Sequence, residues 1–115
     1  LILGNHDIKR MSSRVKKYFQ DIKEYKEISD NGRRVIMCHY PIPFYRSDYN
    51  ENVYHLYGHL HNTIEEKYMQ EIKKYIVETD TRQQSRNRCQ FFNCWCGFYD
   101  WKPVTLDEII KKWRI

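Results

Sequence analysis

Three segments of the sequence each end in side chains that bind metals or transfer protons. Gly58-His59-Leu60-His61 follows an apolar-alternating run over residues 53–57. Gly4-Asn5-His6-Asp7 follows the apolar residues 1–3, and His39 follows the apolar residues 35–38. Imidazole nitrogens, amide oxygens and carboxylates are ligands for divalent metals, and histidine is the most frequent general acid or base. The sequence therefore predicts a site for metal ions, proton transfer or both.

The spacing of the last motif fits a site that holds two metal ions. In an extended segment, residues i and i+2 point to the same face about 7 Å apart, so His59 and His61 would direct two imidazoles into one cleft. Each histidine could then serve one of two ions that lie about 3.5 to 4 Å apart. Gly58 fits a sharp exit from the strand, where a positive φ or close approach to a ligand is needed.

Apolar periodicity and turn residues predict the elements that carry these motifs. Residues 1–3 are predicted to end a buried strand, residues 25–29 and 33–38 to form an antiparallel hairpin around Asp30-Asn31-Gly32, and residues 53–57 and 89–96 to form two more strands. Helices are predicted from Ser12 or Ser13 to near Lys23, over residues 64–81, and over residues 105–113 behind a Thr105–Glu108 capping box. The apolar stripe of the second helix would be formed by Ile64, Tyr68, Met69, Ile72, Tyr75 and Ile76.

Residues 40–46 are predicted to form a loop at the edge of the cleft. Pro41 and Pro43 exclude an inner strand because proline lacks the backbone donor that a sheet requires. Such loops often determine which substrate an enzyme accepts. Tyr40 and Arg46 are therefore predicted to contact the substrate.

The three motifs, in this order, resemble those of the calcineurin-like metallophosphoesterase family, namely G-N-H-D/E, a lone histidine and G-H-x-H. Residues 92–94 and 103–110 also resemble the closing strand and helix of small bacterial or phage members. The resemblance implies that Asn5, His39 and His59 bind one divalent ion and that His61 binds a second, with Mn, Fe, Zn or Ni as candidates. It further implies that the ions activate a water that hydrolyses a phosphoester bond.

The same resemblance assigns proton transfer to the first motif. His6 would donate a proton to the leaving oxygen, and Asp7 would hold the other ring nitrogen and fix its orientation. Each residue has a structural alternative. Asn5 could occupy a turn with positive φ, Asp7 could cap that turn, and His39 could be a satisfied histidine at a strand end. His55 lies outside the motifs, and we predict a structural role for it.

The resemblance also implies an α/β fold. Residues 1–115 would form a single domain, the C-terminal half of an αββα sandwich with a mixed β-sheet and flanking helices. The D-x-H and G-D signatures of the family, which supply further metal ligands, do not occur in the sequence. We therefore expect the chain to be part of a longer enzyme, to bind one metal weakly and to hydrolyse phosphoesters poorly by itself. A half-sandwich would expose a sheet edge, through which we expect self-association.

Composition limits the classes of function. A chain of 115 residues that is 41% hydrophobic can pack one small domain, and its net charge of +5 favours anionic partners. The partner would be a phosphoester substrate, or nucleic acid if the chain is an inert metal-binding or nucleic-acid-binding module. No apolar run is long enough to span a membrane. Cys38, Cys89, Cys94 and Cys96 lack disulfide spacing, which predicts reduced thiols and a cytoplasmic location, and the last three offer an alternative zinc site.

Overall fold

The computed structural model describes residues 1–7, 10–81 and 89–113. Its strands are β1 (Tyr25–Asp30), β2 (Arg33–Cys38), β3 (Val53–Tyr57) and β4 (Phe91–Asn93), and its helices are α1 (Ser13–Lys16), α2 (Ile64–Thr79) and α3 (Leu106–Trp113). The sheet order is β1-β2-β3-β4, with β1 antiparallel to β2 and the other neighbours parallel. The predicted α/β class, with a mixed sheet and flanking helices, is confirmed.

Asn31 and Gly32 form the tight turn between β1 and β2, as predicted. Their φ angles are 50° and 81°. A positive φ at both central residues gives a turn whose twist matches that of the flanking strands. The register pairs Tyr25 with Cys38, so His39 leaves the sheet at the carboxyl end of β2.

The strands bury apolar side chains on both faces of the sheet. Ile36, Tyr57 and Phe91 pack with Met69 of α2 on one face, whereas Val35, Tyr54 and Phe92 pack with Leu106 and Ile109 of α3 on the other. Because β2 and β3 are parallel and enclosed by helices, their carboxyl ends lie side by side on a rigid support. The Gly58 N–H accordingly donates to the His39 carbonyl oxygen at 2.9 Å.

The buried face of α2 matches the predicted stripe only in part, because Met69 is buried and Ile76 packs against the core. Ile64, Tyr68 and Tyr75 are 56%, 60% and 68% exposed, whereas Glu66 and Met69 are buried. The predicted stripe followed hydrophobicity alone. The helix is instead oriented by a hydrogen bond from the Tyr57 hydroxyl to the Glu66 carboxylate, at 2.9 Å.

The predicted first helix is much shorter in the structure. Ser12 caps α1 through its hydroxyl oxygen, which accepts from Val15 N–H, but α1 ends at Lys16 rather than near Lys23. Tyr18 and Phe19 are 74% and 39% exposed. A short helix gains most of its stability from burying an apolar face, and this segment does not bury one.

Two predicted strands are also wrong in extent. Ile2 makes an isolated bridge with Lys23, and Leu1 is 42% exposed, so residues 1–3 do not end a buried strand. The strand predicted over residues 89–96 is reduced to β4. Cys89 has a φ of 66°, which strand geometry excludes, and the Asn93 side-chain oxygen turns the chain by accepting from Trp95 N–H.

Candidate metal centre

Asn5, His39 and His59 converge from three separate segments of the chain. The His39 Nε2 atom lies 2.9 Å from Asn5 Oδ1 and 3.2 Å from His59 Nδ1. Neighbouring ligand atoms around an ion with bonds of about 2.1 Å are separated by roughly 3.0 to 3.4 Å. The donor types, and two ligand separations at or near this range, are compatible with a shared divalent metal ion.

His39 packs directly against the backbone of the first motif. A Cβ atom at Gly4 would lie 2.9 Å from His39 Cε1 and 3.0 Å from Nδ1, so a side chain there would force the ring to shift. Gly4 therefore allows this backbone to approach the imidazole closely. Burial of the ring, together with the neighbouring His59, lowers the pKa of His39, and neutral imidazole is the form that binds metal.

His59 is held in a γ-turn rather than in an extended segment. Its φ is 63°, and Leu60 N–H donates to the Gly58 carbonyl oxygen at 2.7 Å. His61 has a φ of 49°, so the two histidines do not share a strand face, and the predicted extended geometry is wrong. The positive φ falls on the histidines and not on Gly58, where a Cβ would meet His39 Nδ1 at 3.6 Å. A γ-turn with positive φ is rare and strained, and such strain collects at functional sites.

The His61 ring lies beside the centre but stacks on Trp95. The two ring centroids are 5.2 Å apart and the planes meet at 17°. The charge of His61 is near enough to contribute to the lowered pKa of His39. The structure thus brings His61 to the same edge of the sheet, with its ring against Trp95.

Asp7 closes the loop that carries Asn5. Its Oδ2 accepts from Gly4 N–H at 2.8 Å, and its own N–H donates to the Gly4 carbonyl oxygen at 3.1 Å. Asp7 therefore caps its own turn, which was the structural alternative given for it. That Asp7 orients His6 stays a prediction. His6 is exposed, and the charges of His6 and Asp7 both act on the pKa of His39, lowering and raising it respectively.

Tyr40 lies against both imidazoles, whereas Arg46 points to a different neighbour. The Tyr40 ring centroid is 5.1 Å from that of His39 and 4.8 Å from that of His59, in edge-to-face contact. Arg46 is paired instead with Glu27 on β1, with 3.7 Å between nitrogen and oxygen. Of the two predicted substrate contacts, Tyr40 is the one that borders the candidate centre.

His55 has the structural role that was predicted for it. It is fully buried, its Nε2 accepts from Ile42 N–H at 2.9 Å, and its Nδ1 lies 3.1 Å from the Ile36 carbonyl oxygen. Burial lowers the pKa of His55. Because Nε2 accepts from Ile42 N–H, the ring proton lies on Nδ1. Both ring nitrogens are thereby satisfied.

Sequence reasoning missed a buried polar network behind residues 58–61. The Glu66 carboxylate accepts from the Tyr57 hydroxyl, from Gln70 Nε2 at 2.6 Å and from Asn93 Nδ2 at 3.0 Å. Asn93 also donates to the His61 carbonyl oxygen. One signal was available, since Glu66 lies three and ten residues before Met69 and Ile76, which share its helix face.

The three candidate ligands are the amide oxygen of Asn5 and the imidazoles of His39 and His59. Within residues 1–7, 10–81 and 89–113, no three histidine, cysteine, aspartate or glutamate side chains form a group that could hold a metal ion. The alternative zinc site at Cys89, Cys94 and Cys96 therefore gains no support. The four cysteines, all in the described part of the chain, form no disulfide, and no helix there is long and apolar enough to cross a membrane.

Comparison of the chain with protein-family models gave no match, and comparisons with curated proteins and with solved structures gave no significant match.

Proposed function

We propose that this chain binds a divalent metal ion through Asn5, His39 and His59 and takes part in the metal-dependent hydrolysis of phosphoester bonds. The observation that supports the proposal is the convergence of Asn5 Oδ1 and His59 Nδ1 on His39 Nε2, at 2.9 and 3.2 Å. As metal ligands, an amide oxygen and two neutral imidazoles would add no charge. They would leave the charge of the ion available for an anionic substrate such as a phosphoester.

The ion, when bound, would supply Lewis-acid charge for the phosphoryl oxygens and lower the pKa of a water. The residues of the chain would supply the remaining functions. In this proposal His6, which is exposed beside Asn5, gives a proton to the leaving oxygen, and Tyr40 forms one wall of the substrate site. A cavity of about 230 Å³ lies on one side of His39 and Gly58 and is lined also by apolar residues that include Met37 and Leu56.

In a complete site of the metallophosphoesterase type, His61 would bind a second ion. The remaining ligands of that ion come, in the metallophosphoesterases, from D-x-H and G-D signatures that this sequence does not contain. We therefore expect one ion per chain and weak hydrolysis. The finer architecture, half of an αββα sandwich, is likewise proposed, and helices on both faces of a mixed sheet are compatible with it.

An inert binding module is the second candidate, and the net charge of +5 favours it. Such a module would use its basic surface for nucleic acid. Its affinity would fall steeply with salt, because binding releases counterions, and would not depend on His6.

Metal titration tests the proposal directly. We expect calorimetry to show one Mn²⁺ per chain and Asn5→Ala, His39→Ala and His59→Ala each to weaken binding. Asn62→Ala is the control, since Asn62 is exposed next to His61 and outside the ligand set. Mn²⁺ binding that is unchanged in His39→Ala would contradict the proposal.

Hydrolysis separates the two candidate functions. With bis(p-nitrophenyl) phosphate and Mn²⁺, we expect slow turnover that His6→Asn abolishes while the bound metal is retained, because His6 acts on the proton and not on the ion. Turnover that persists in His39→Ala would show that the candidate centre is not responsible. Nucleic-acid binding that is salt-dependent and independent of both His6 and Mn²⁺ would favour the binding module.

A further inference from the structure

Asn93 lies directly behind the turn that carries the site histidines. Its side chain is 1% exposed, and its Nδ2 donates to the His61 carbonyl oxygen and to Glu66 Oε2, both at 3.0 Å. Its Oδ1 accepts from Trp95 N–H at 2.9 Å. A single buried amide thus uses both of its donors and its acceptor.

Glu66 helps to determine which way this amide points. The Glu66 carboxylate also accepts from the Tyr57 hydroxyl and from Gln70 Nε2, and an ionised carboxylate offers only acceptors. Exchanging the oxygen and nitrogen of Asn93 would set its oxygen against Glu66 and against the His61 carbonyl. Because a buried mismatch of this kind is costly, Glu66 reinforces the Asn93 orientation that the His61 carbonyl oxygen and Trp95 N–H also require.

The same amide holds both partners of the stack formed by His61 and Trp95. It binds the backbone of His61 on one side and that of Trp95 on the other. The indole packs closely on Gly97, where a Cβ would lie only 2.3 Å from the Trp95 ring. The His61 imidazole therefore stacks on an indole that is itself packed against the backbone.

The turn itself requires such support. His59 and His61 both have left-handed backbone conformations, with φ of 63° and 49°. Histidine adopts this conformation at a cost, and it persists where the surrounding structure imposes it. Leu60, buried between them, and the bond from Asn93 to His61 supply two fixed points for residues 59–61.

We propose that Asn93, oriented by Glu66, is a positioning residue for the metal centre. It fixes the turn over residues 59–61 so that His59 is presented to His39 and His61 is kept against Trp95. The inference rests on the proposed function for the role of the metal, but the positioning has a readout that requires no metal. That readout is the ring-current shift that the Trp95 indole imposes on the ring protons of His61.

Asn93→Asp replaces the donating amide with a carboxylate that repels Glu66 and the His61 carbonyl oxygen. In the 115-residue chain we expect the His61 ring-current shift to collapse in the NMR spectrum without metal. We also expect affinity for Mn²⁺ to fall about 10- to 100-fold, which is the usual effect of mutating a residue that supports a metal ligand. Tyr99→Phe is the control, because the Tyr99 hydroxyl donates to the backbone oxygen of Asn93 and leaves its amide untouched.

Two further variants keep the test decisive. If Asn93→Asp does not fold, Glu66→Gln replaces it, since an amide at residue 66 weakens the preference for one Asn93 orientation. We expect the His61 ring-current shift and the Mn²⁺ affinity to fall in this variant too, but by less. In a His59→Ala background, Asn93→Asp should have no further effect on Mn²⁺ affinity. An unchanged His61 shift and unchanged Mn²⁺ affinity in a folded variant would overturn the inference.

The outcomes also separate this inference from the proposed function. A wild-type chain that binds no Mn²⁺, but whose His61 shift collapses in Asn93→Asp and not in Tyr99→Phe, would refute the metal and support the positioning. Mn²⁺ binding through His39 with no response to Asn93→Asp or Glu66→Gln would support the metal and refute the positioning.

Discussion

Gly4→Ala tests whether the position of His39 is set by close contact with the first motif. The added Cβ would lie 2.9 Å from His39 Cε1 and 3.2 Å from Nε2. Ordinary contacts between carbon atoms lie at about 3.5 to 4.0 Å, so the ring would have to move by roughly 0.6 Å or more. Metal ligands tolerate deviations of only about 0.2 Å. The variant should therefore break the contact between His39 and a bound ion.

The expected loss is specific to metal binding. We expect affinity for Mn²⁺ to fall by about 10- to 100-fold, equivalent to about 1.4 to 2.7 kcal/mol. The free energy of unfolding should fall by only about 1 kcal/mol, the low end of the range for overpacking, because the half-buried imidazole can turn aside.

Calorimetric titration of Mn²⁺ and urea unfolding measure the two quantities. Gly58→Ala is the matched control, since its Cβ would meet His39 Nδ1 at 3.6 Å, an ordinary contact. Equal Mn²⁺ affinity in Gly4→Ala, Gly58→Ala and the wild type would refute the reasoning.

Two predictions concern stability. Lys73 donates to the Phe91 carbonyl oxygen, and burial lowers its pKa to about 8. The unfolded chain therefore holds this proton more tightly, and the free energy of unfolding should rise by about 1 kcal/mol from pH 7 to pH 9 relative to Lys73→Met. Urea unfolding at both pH values checks this, and equal pH dependence in the two proteins would contradict it. Thr105→Ala should lower the free energy of unfolding by about 1 kcal/mol, because it removes the hydroxyl that accepts from Glu108 N–H. Thr105→Ser keeps a hydroxyl and should have little effect. Equal losses in both variants, measured by urea unfolding, would contradict the capping box.

Local rules were sufficient to predict the elements whose stability is local. The turn at Asn31 and Gly32 needs positive φ, and these are the residues that adopt it most readily. The capping box of α3 forms as its sequence predicts, with Thr105 and Glu108 exchanging hydrogen bonds. Both features depend on residues at most three positions apart.

The elements that were predicted wrongly depend on distant partners. Hydrophobic periodicity favoured the face of α2 with Ile64 and Tyr68, but the buried face carries Glu66, which is satisfied by Tyr57 and Asn93. A buried carboxylate is tolerated only with such donors, and their proximity is a property of the folded chain. The helical spacing of Glu66 with Met69 and Ile76 indicated its face, but not the donors that make its burial possible.

For the candidate centre, likewise, the sequence predicted the residues but not the geometry. Motif order identified Asn5, His39 and His59, which the structure brings together. The geometry that unites them was not predictable, because it comes from a γ-turn at His59 and from the buried amide of Asn93. The residue types indicated the chemistry. The strained backbone conformation at His59 and His61 depends on tertiary contacts, which the sequence alone does not show.

Anomalous X-ray diffraction from crystals of the chain grown with Mn²⁺ tests the central claim most directly. We predict a single manganese peak within about 2.0 to 2.3 Å of Asn5 Oδ1, His39 Nε2 and His59 Nδ1. A manganese ion bound elsewhere, or the three side chains bonded to one another with no ion between them at saturating Mn²⁺, would contradict it.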